Sequence, residues 1–190
     1  MKTKSKGKLF VMSGPSGTGK GTICERLKEL DNIYLSVSNT TRDRRANEIE
    51  GETYFYVTRD EFERMIRENE MLEYAEYSGN YYGTNKKRVE EALNEGKDVI
   101  LEIEPQGALQ VKSIFPSAVL IFVLPPSFEE LRNRLVTRGR EPIDVIEKRI
   151  AAAEWEIQQS DKYDYKTIND NLDECVNEVA GIINKERERI

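Results

Sequence analysis

Gly14-Pro15-Ser16-Gly17-Thr18-Gly19-Lys20-Gly21-Thr22 is the stretch that decides how this chain is read. It follows a short apolar run, Leu9-Phe10-Val11-Met12, with the character of a buried strand. It runs into Ile23-Cys24-Glu25-Arg26-Leu27-Lys28-Glu29-Leu30, whose apolar spacing suits a helix. Strand, glycine-rich loop and helix are the context in which this pattern cradles phosphate. The glycines let backbone amides converge on an anion, and the helix start adds the positive end of its dipole. Lys20 supplies a point charge for the outer phosphates of a nucleoside triphosphate. Gly21 stands where the strict pattern has the Ser or Thr that meets Mg²⁺. The hydroxyl comes one residue later, at Thr22, and either direct or water-mediated contact with the metal is open to it. The loop predicts phosphate binding and leaves the reaction unnamed.

Working outward, continuous apolar runs at 99–103 and Val119–Leu124, with a weaker one at 165–168, predict further buried strands. The fold class is α/β, a parallel sheet with helices on both faces. Ser127-Phe128-Glu129-Glu130 is a capping box opening a helix that runs to Arg138, where Gly139 can end it. A long helix is predicted over about 143–159, with Ile146, Ile150, Ala153 and Ile157 on one apolar face. Trp155 lies off that stripe and reads as a packing residue. A last helix covers about 172–185.

The segment 36–82 has a different texture. Residues 54–57 and 71–75 read as short strands of a small mixed or antiparallel sheet. Thr58-Arg59-Asp60-Glu61 caps a short helix between them. The expectation is one domain, with a core at 8–35, 89–133 and 160–188, an insert at 36–88 and a lid at 134–150.

A chain of 190 residues is long enough for one sizeable core. A net charge of −6 argues against a general nucleic-acid or acidic-membrane partner, so a polyanionic ligand must be met by local clusters. Such clusters occur at Arg42-Asp43-Arg44-Arg45 and between Arg132 and Arg140. Two cysteines, Cys24 and Cys175, form no disulfide framework or metal motif and suit a reducing cytosol. The longest apolar run, 118–124, is strand-sized, and the basic start is followed by too few apolar residues for a signal peptide. These features predict a cytoplasmic protein. The chain has no histidine, which removes imidazole bases, histidine metal ligands and Ser-His-Asp triads. Phosphoryl transfer survives that filter, because it relies on positioning and on charge stabilisation by Arg, Lys and Mg²⁺.

Beyond the loop stand Ser36-Val37-Ser38-Asn39-Thr40-Thr41-Arg42-Asp43-Arg44-Arg45, then Gly51 and Tyr54. Glu73 and Ser78-Gly79-Asn80-Tyr81-Tyr82-Gly83-Thr84 follow. With the phosphate loop, these segments closely resemble the guanylate kinase family, collinearly from about residue 8 to the last helix. The resemblance implies a P-loop core that binds ATP through Gly14, Pro15, Ser16, Gly17, Thr18, Gly19, Lys20, Gly21 and Thr22. It also implies an acceptor insert for GMP and a lid. Two arginines so spaced can fork around a phosphate dianion. Arg42 and Arg45 match the family positions with that role, and the hydroxyls of Tyr54 and Tyr82 match further phosphate donors. Packing is the alternative reading for both tyrosines.

Glu73 matches the guanine reader. A carboxylate only accepts, and guanine presents two adjacent donors, N1–H and the amino group, where adenine presents a bare N1. Ser38 and Thr84 match positions completing the base contacts. Glu102 and Glu104 stand where many members carry Asp; the resemblance puts Glu104 in the acceptor site and both near the acceptor arginines or water-bound Mg²⁺. On the donor side, Arg134, Arg138 and Arg149 match positions that grip the triphosphate. Without an anion between them these cations should repel, so 138–149 is expected to close on ATP.

The implied activity is Mg²⁺-dependent transfer of the γ-phosphoryl of ATP to GMP, and to dGMP, with Lys20, Arg42, Arg134, Arg138 and Arg149 carrying it. Neither nucleic acid nor membrane is implied as a partner, and oligomeric state is not legible. Glu73 and the Arg42/Arg45 segment argue against an AMP, UMP or dTMP kinase on the same core. No Asn-Lys-x-Asp guanine motif supports a GTPase, since Asn85-Lys86 is followed by Lys87-Arg88 and Asn184-Lys185 by Glu186-Arg187. A non-catalytic scaffold module of this family typically has a degraded loop, whereas this chain keeps Lys20 and the arginines.

Overall fold

Alternate residues of the apolar runs go to opposite faces of one sheet. In a computed structural model describing residues 5–77, 79–137 and 143–189, β1 (Leu9–Ser13) is its central strand. To one side lie β7 (Asp98–Glu102) and then β2 (Ile33–Leu35). To the other lie β8 (Val119–Leu124) and then β9 (Tyr165–Ile168), and every pairing is parallel.

Leu9, Val11, Val99, Leu101, Leu120 and Phe122 face α3 (Lys86–Asn94) and α4 (Pro105–Ile114), which contribute Val89, Leu93, Ala108 and Val111. Phe10, Met12, Ile100, Ile121 and Val123 face α1 (Lys20–Leu27) and α7 (Leu172–Glu188), through Ile23, Leu27, Val179 and Ile183. Both faces are covered, which is why these strands read as unbroken apolar runs. The chain goes from β1 outward to β2, and later from β7 across to β8 on the other side. The carboxyl end of β1 therefore lies at a topological switch point, where such sheets bind ligands.

Between β2 and α3 a second sheet is inserted, in the order β4 (Phe55–Tyr56), β3 (Asn39–Thr40), β6 (Asn80–Asn85), β5 (Met71–Tyr77). It is mixed: β3 and β4 are parallel, the other pairs antiparallel. Helix α2 (Arg59–Arg67) covers it with Phe62 and Met65, and Phe62 stacks on Tyr81 at 5.1 Å between ring centroids. The expected capping box is present: Thr58 Oγ1 accepts from the Glu61 amide at 3.2 Å, and Glu61 Oε2 from the Thr58 amide at 2.8 Å.

Helices α5 (Phe128–Thr137) and α6 (Ile143–Gln158) pack through Leu131 and Leu135 against Ile146, Ile150 and Ala153; the fourth residue of the predicted stripe, Ile157, packs instead against the core cluster on the α3–α4 side of the sheet. A short 3₁₀ turn, Gln159–Lys162, follows α6. Trp155 does not pack as predicted; it is 54% exposed, because the stripe already fills the α5–α6 seam. Cys24 and Cys175 are buried free thiols, as expected of small core residues. Helix α1 starts at Lys20, three residues before the apolar pattern suggests, because the phosphate loop itself leads into its first turn. Among the described residues, no helix is long and apolar enough to cross a membrane.

Candidate active site

The donor loop leaves β1 at the switch point and enters α1 with Gly19 as the N-cap, at φ 89°, a left-handed conformation that favours glycine. A side chain there would also collide with Asn169, since a Cβ would lie 2.5 Å from its Nδ2. Asn169 is buried at the end of β9. Its side chain donates to the Thr18 carbonyl at 2.7 Å, and its backbone amide to the Leu124 carbonyl at 2.9 Å. Thr18 in turn donates its hydroxyl to the Pro15 carbonyl at 2.9 Å. Together these bonds hold the loop peptides as a fixed concavity.

Lys20, 7% exposed, donates to the carbonyls of Gly14 and Pro15, which keeps its ammonium inside the curve of the loop. A cavity of ≈550 Å³ opens beside Gly17 and Gly19 and is walled by Glu130, Asn133, Arg134 and Thr137. Arg134 is thus brought to the donor loop, its Nε 2.9 Å from Glu130 Oε1. Arg149 sits half-buried on α6. Arg138 and the rest of 138–142 lie outside the described residues, and with them the middle of the expected lid.

Glu102, at the end of β7, lies beside Gly21: its carboxylate oxygens are 3.5 Å from where a Cβ at that position would be, an ordinary contact distance. Burial raises its carboxyl above the usual range, against the pull of Lys20. Thr22, on the first turn of α1, is exposed. One hydroxyl, one carboxylate and the substrate's own phosphates suit Mg²⁺, which takes few protein ligands. The described residues contain no cluster of three His, Cys, Asp or Glu side chains placed to hold a metal.

A second cleft, ≈390 Å³, runs from Lys20, Glu102 and Glu104 to Ser38 and Tyr54 of the insert. Beside Tyr54, Arg42 is held by Glu48, Nη2 to Oε1 at 2.7 Å. Glu48 also accepts from the Arg45 amide and the Tyr56 hydroxyl, both at 2.8 Å. The Arg42 bond, followed by the other two, pulls the Glu48 carboxyl down to about 2. The rings of Tyr54 and Tyr82 meet edge-on at 5.8 Å, with the Arg42 guanidinium 5.5 Å from the Tyr54 centroid. The two tyrosines pack against each other beside Arg42. Arg45 is held through its backbone amide, and its side chain is exposed.

Glu73 is 5% exposed although it lies on a strand of a small insert. A register shift between Met71 and Glu73 turns it inward opposite Thr84, whose hydroxyl donates to Oε1 at 2.6 Å. Burial pushes the carboxyl up to about 7, against the hydrogen bonds from Thr84. A buried carboxyl with an acceptor to spare is costly to keep in a strand unless a ligand uses it.

The family model described as guanylate kinase matches residues 6–186. The chain belongs to the guanylate kinase family. It is 51% identical over 191 residues to a guanylate kinase of Oceanobacillus iheyensis, covering 98% of this chain and 93% of that protein. It is 50% identical over 192 residues to that of Bacillus subtilis, covering 98% and 94%. A crystal structure of guanylate kinase from Anaplasma phagocytophilum superposes with a TM-score of 0.80 at 35% identity, covering 97% of this chain and 88% of that one.

In this guanylate kinase family member the glycine-rich loop stands on the parallel sheet, and the cleft beside Lys20 reaches to Ser38 and Tyr54 of the insert. The structure brings together Lys20 with the loop and Arg134, then Arg42 with Tyr54 and Tyr82, then Glu73 with Thr84. Ser38 and Glu104 line the cleft between them. Sequence reasoning missed Asn169 and Glu48. The first had a signal, an Asn at the carboxyl end of a parallel strand, where ligand sites collect. The second had only its acidic character, three residues past Arg45.

Proposed function

We infer that this chain transfers the γ-phosphoryl group of ATP to GMP, and to dGMP, releasing ADP. The observation that carries the reading is the buried Glu73–Thr84 pair, set in an insert across the cleft from the phosphate loop. A phosphate oxygen of GMP attacks the γ-phosphorus, and the bond from that phosphorus to the β–γ bridging oxygen breaks. GDP and ADP result. The attacking phosphate is already largely ionised near pH 7, so no general base is needed, in keeping with a chain that has no histidine.

Lys20 and the loop amides hold the donor phosphates. Arg42 and Arg45 orient the acceptor with Tyr54 and Tyr82, while Arg134, Arg138 and Arg149 spread over the charge developing between the two. Glu73, Thr84 and Ser38 fix the guanine, and Glu104 borders the acceptor phosphate. Thr22, and Glu102 through water, would hold the Mg²⁺ that neutralises charge on the triphosphate. The insert at 36–88 and the lid at 134–150 close on the core and exclude water, which suppresses ATP hydrolysis. Two buried cysteines without a disulfide framework support the reading that the reaction runs in a reducing cytoplasm.

A coupled ADP-release assay with ATP and each of GMP, AMP, UMP and dTMP tests this. GMP should be turned over and AMP disfavoured by on the order of 10⁴ in kcat/KM. Equal turnover of AMP would defeat the Glu73 assignment. Absence of turnover with all four would favour a non-catalytic module.

A further inference from the structure

Helix α4 meets strand β5 at two points, and neither is among the residues proposed above to touch nucleotide. The first is Gln110. Its Oε1 accepts from the Tyr74 amide at 3.3 Å, and its Nε2 donates to the Tyr74 carbonyl at 3.2 Å. Strand β5 is the outer strand of its sheet, so the Tyr74 peptide groups face an edge with no further strand. A carboxamide, with an acceptor and a donor side by side, satisfies that edge as one residue of an added strand would.

The second point lies one turn earlier. Gly107 is buried, and a Cβ there would sit 2.6 Å from Glu73 Oε2 and 3.3 Å from its Cδ. The backbone of Gly107 is ordinary helix, so it is the space of a side chain that matters here. One turn earlier again, Glu104 is the N-cap of α4 and lines the cleft. Positions 104, 107 and 110 thus follow one broad face of the helix, from the phosphate cleft to the strand edge.

We propose that Gln110 and Gly107 are positioning residues that determine base specificity: the Gln110 clamp on Tyr74 fixes how deeply α4 lies against β5, and the bare Gly107 fixes how far the Glu73 carboxyl recedes. The inference rests on Glu73 being the guanine reader. Its geometry follows from the two halves of Glu73. Oε1 is tied across the sheet by Thr84, and Oε2 is backed by Gly107, so the carboxyl is held between β6 and α4. A shift of α4 by a few tenths of an ångström moves the carboxyl relative to the base, while the donor loop is untouched.

The test compares Gln110→Ala, Gln110→Glu and Gly107→Ala with Lys112→Ala. Lys112 is on the same helix but bonds the Ala118 carbonyl and Asp164, away from the pocket. The readouts are kcat/KM for GMP and AMP, KM for ATP, and Tm. Gln110→Ala and Gly107→Ala should raise KM for GMP by about tenfold or more and lower the GMP/AMP ratio by a similar factor, with KM for ATP within about twofold. Gln110→Glu keeps the acceptor, loses the donor and should fall between; it also serves if Gln110→Ala does not fold. Gly107→Ala gains helix propensity, which offsets part of the cost of displacing the Glu73 carboxyl, so specificity should fall by more than in Lys112→Ala at a comparable or smaller change in Tm, which a merely structural role would not produce. Lys112→Ala should lower Tm and leave the ratio unchanged.

An unchanged ratio in Gln110→Ala and Gly107→Ala, or a ratio that falls equally in Lys112→Ala, overturns the proposal. Glu73→Gln separates the two levels. If it collapses the ratio and the α4 variants do not, only the clamp fails; if it leaves the ratio intact, the guanine-reading role of Glu73 fails.

Discussion

Replacing Glu73 with Gln alters one atom of the base pocket, and its consequences can be worked out from the neighbours. Thr84 donates to Oε1 at 2.6 Å, and a Gln oxygen would keep that bond. The new amide nitrogen then takes the place of Oε2, against Gly107. Guanine presents two donors to a site that has lost an acceptor and gained a donor. A hydrogen bond to a charged group is worth about 1.5–3 kcal/mol, so kcat/KM for GMP should fall about 10- to 150-fold. KM for ATP should not move.

The same change carries a pH signature. Burial holds the wild-type carboxyl at about 7, so it must ionise to accept from guanine, and KM for GMP should climb as pH drops below about 7. Taking the ratio of variant to wild type at each pH cancels the ionisation of the GMP phosphate itself. The folded carboxyl titrates above its ordinary 4.5, so the folded state keeps a proton that the unfolded chain has released between 4.5 and about 7. That contribution to stability is full below about 4.5 and is lost as pH rises through about 7. The interval corresponds to roughly 3 kcal/mol, an upper bound on how much more stable the Gln variant should be at pH 8. Steady-state kinetics with GMP and AMP, together with urea unfolding at pH 5 and pH 8, measures all three effects. An unchanged GMP/AMP ratio, or a variant whose stability falls between pH 5 and 8 as the wild type's does, would refute this reasoning.

Other expectations concern the supporting residues. Glu48→Gln removes the charged partner of Arg42 while keeping an acceptor for the Arg45 amide, and should raise KM for GMP about tenfold with KM for ATP unchanged in a two-substrate kinetic matrix. Asn169→Ala breaks the tie to the Thr18 carbonyl. It should cost about 1 kcal/mol, lower Tm by roughly 2–4 °C, and raise KM for ATP several-fold without affecting GMP, as calorimetry and kinetics can check. Chelation by EDTA should abolish turnover and added Mg²⁺ should restore it, since no protein cation replaces the metal's charge on the triphosphate; turnover that persists in EDTA would remove Mg²⁺ from the account.

The parallel core was legible because its strands are buried on both faces, so Leu9 to Met12 and Val119 to Leu124 needed no periodicity to be seen. The phosphate loop was legible because its chemistry is local. Helix α4 was not, since Pro105 and Gly107 interrupt its pattern; Pro105 is in fact its first residue and Gly107 its gap for Glu73. Strands β2 and β3, of three and two residues, carry too little sequence to show a period. Asn169 reaches the loop from 151 residues away, and Glu48 matters through Arg42 and Tyr56 together; neither relation is written in spacing. Glu73 was named by resemblance, and its burial depends on the β5 bulge and on Thr84, which no single-strand pattern reveals.

If the buried Glu73 carboxyl accepts from both donors of guanine, substrates that differ in those donors will separate atom by atom. In kcat/KM with saturating ATP, GMP presents N1–H and the amino group, inosine monophosphate only N1–H, and AMP neither in that arrangement. GMP should come first, inosine monophosphate lower by about 10- to 150-fold for one lost charged bond, and AMP lower by on the order of 10⁴. AMP used as well as inosine monophosphate, or inosine monophosphate used as well as GMP, would contradict it.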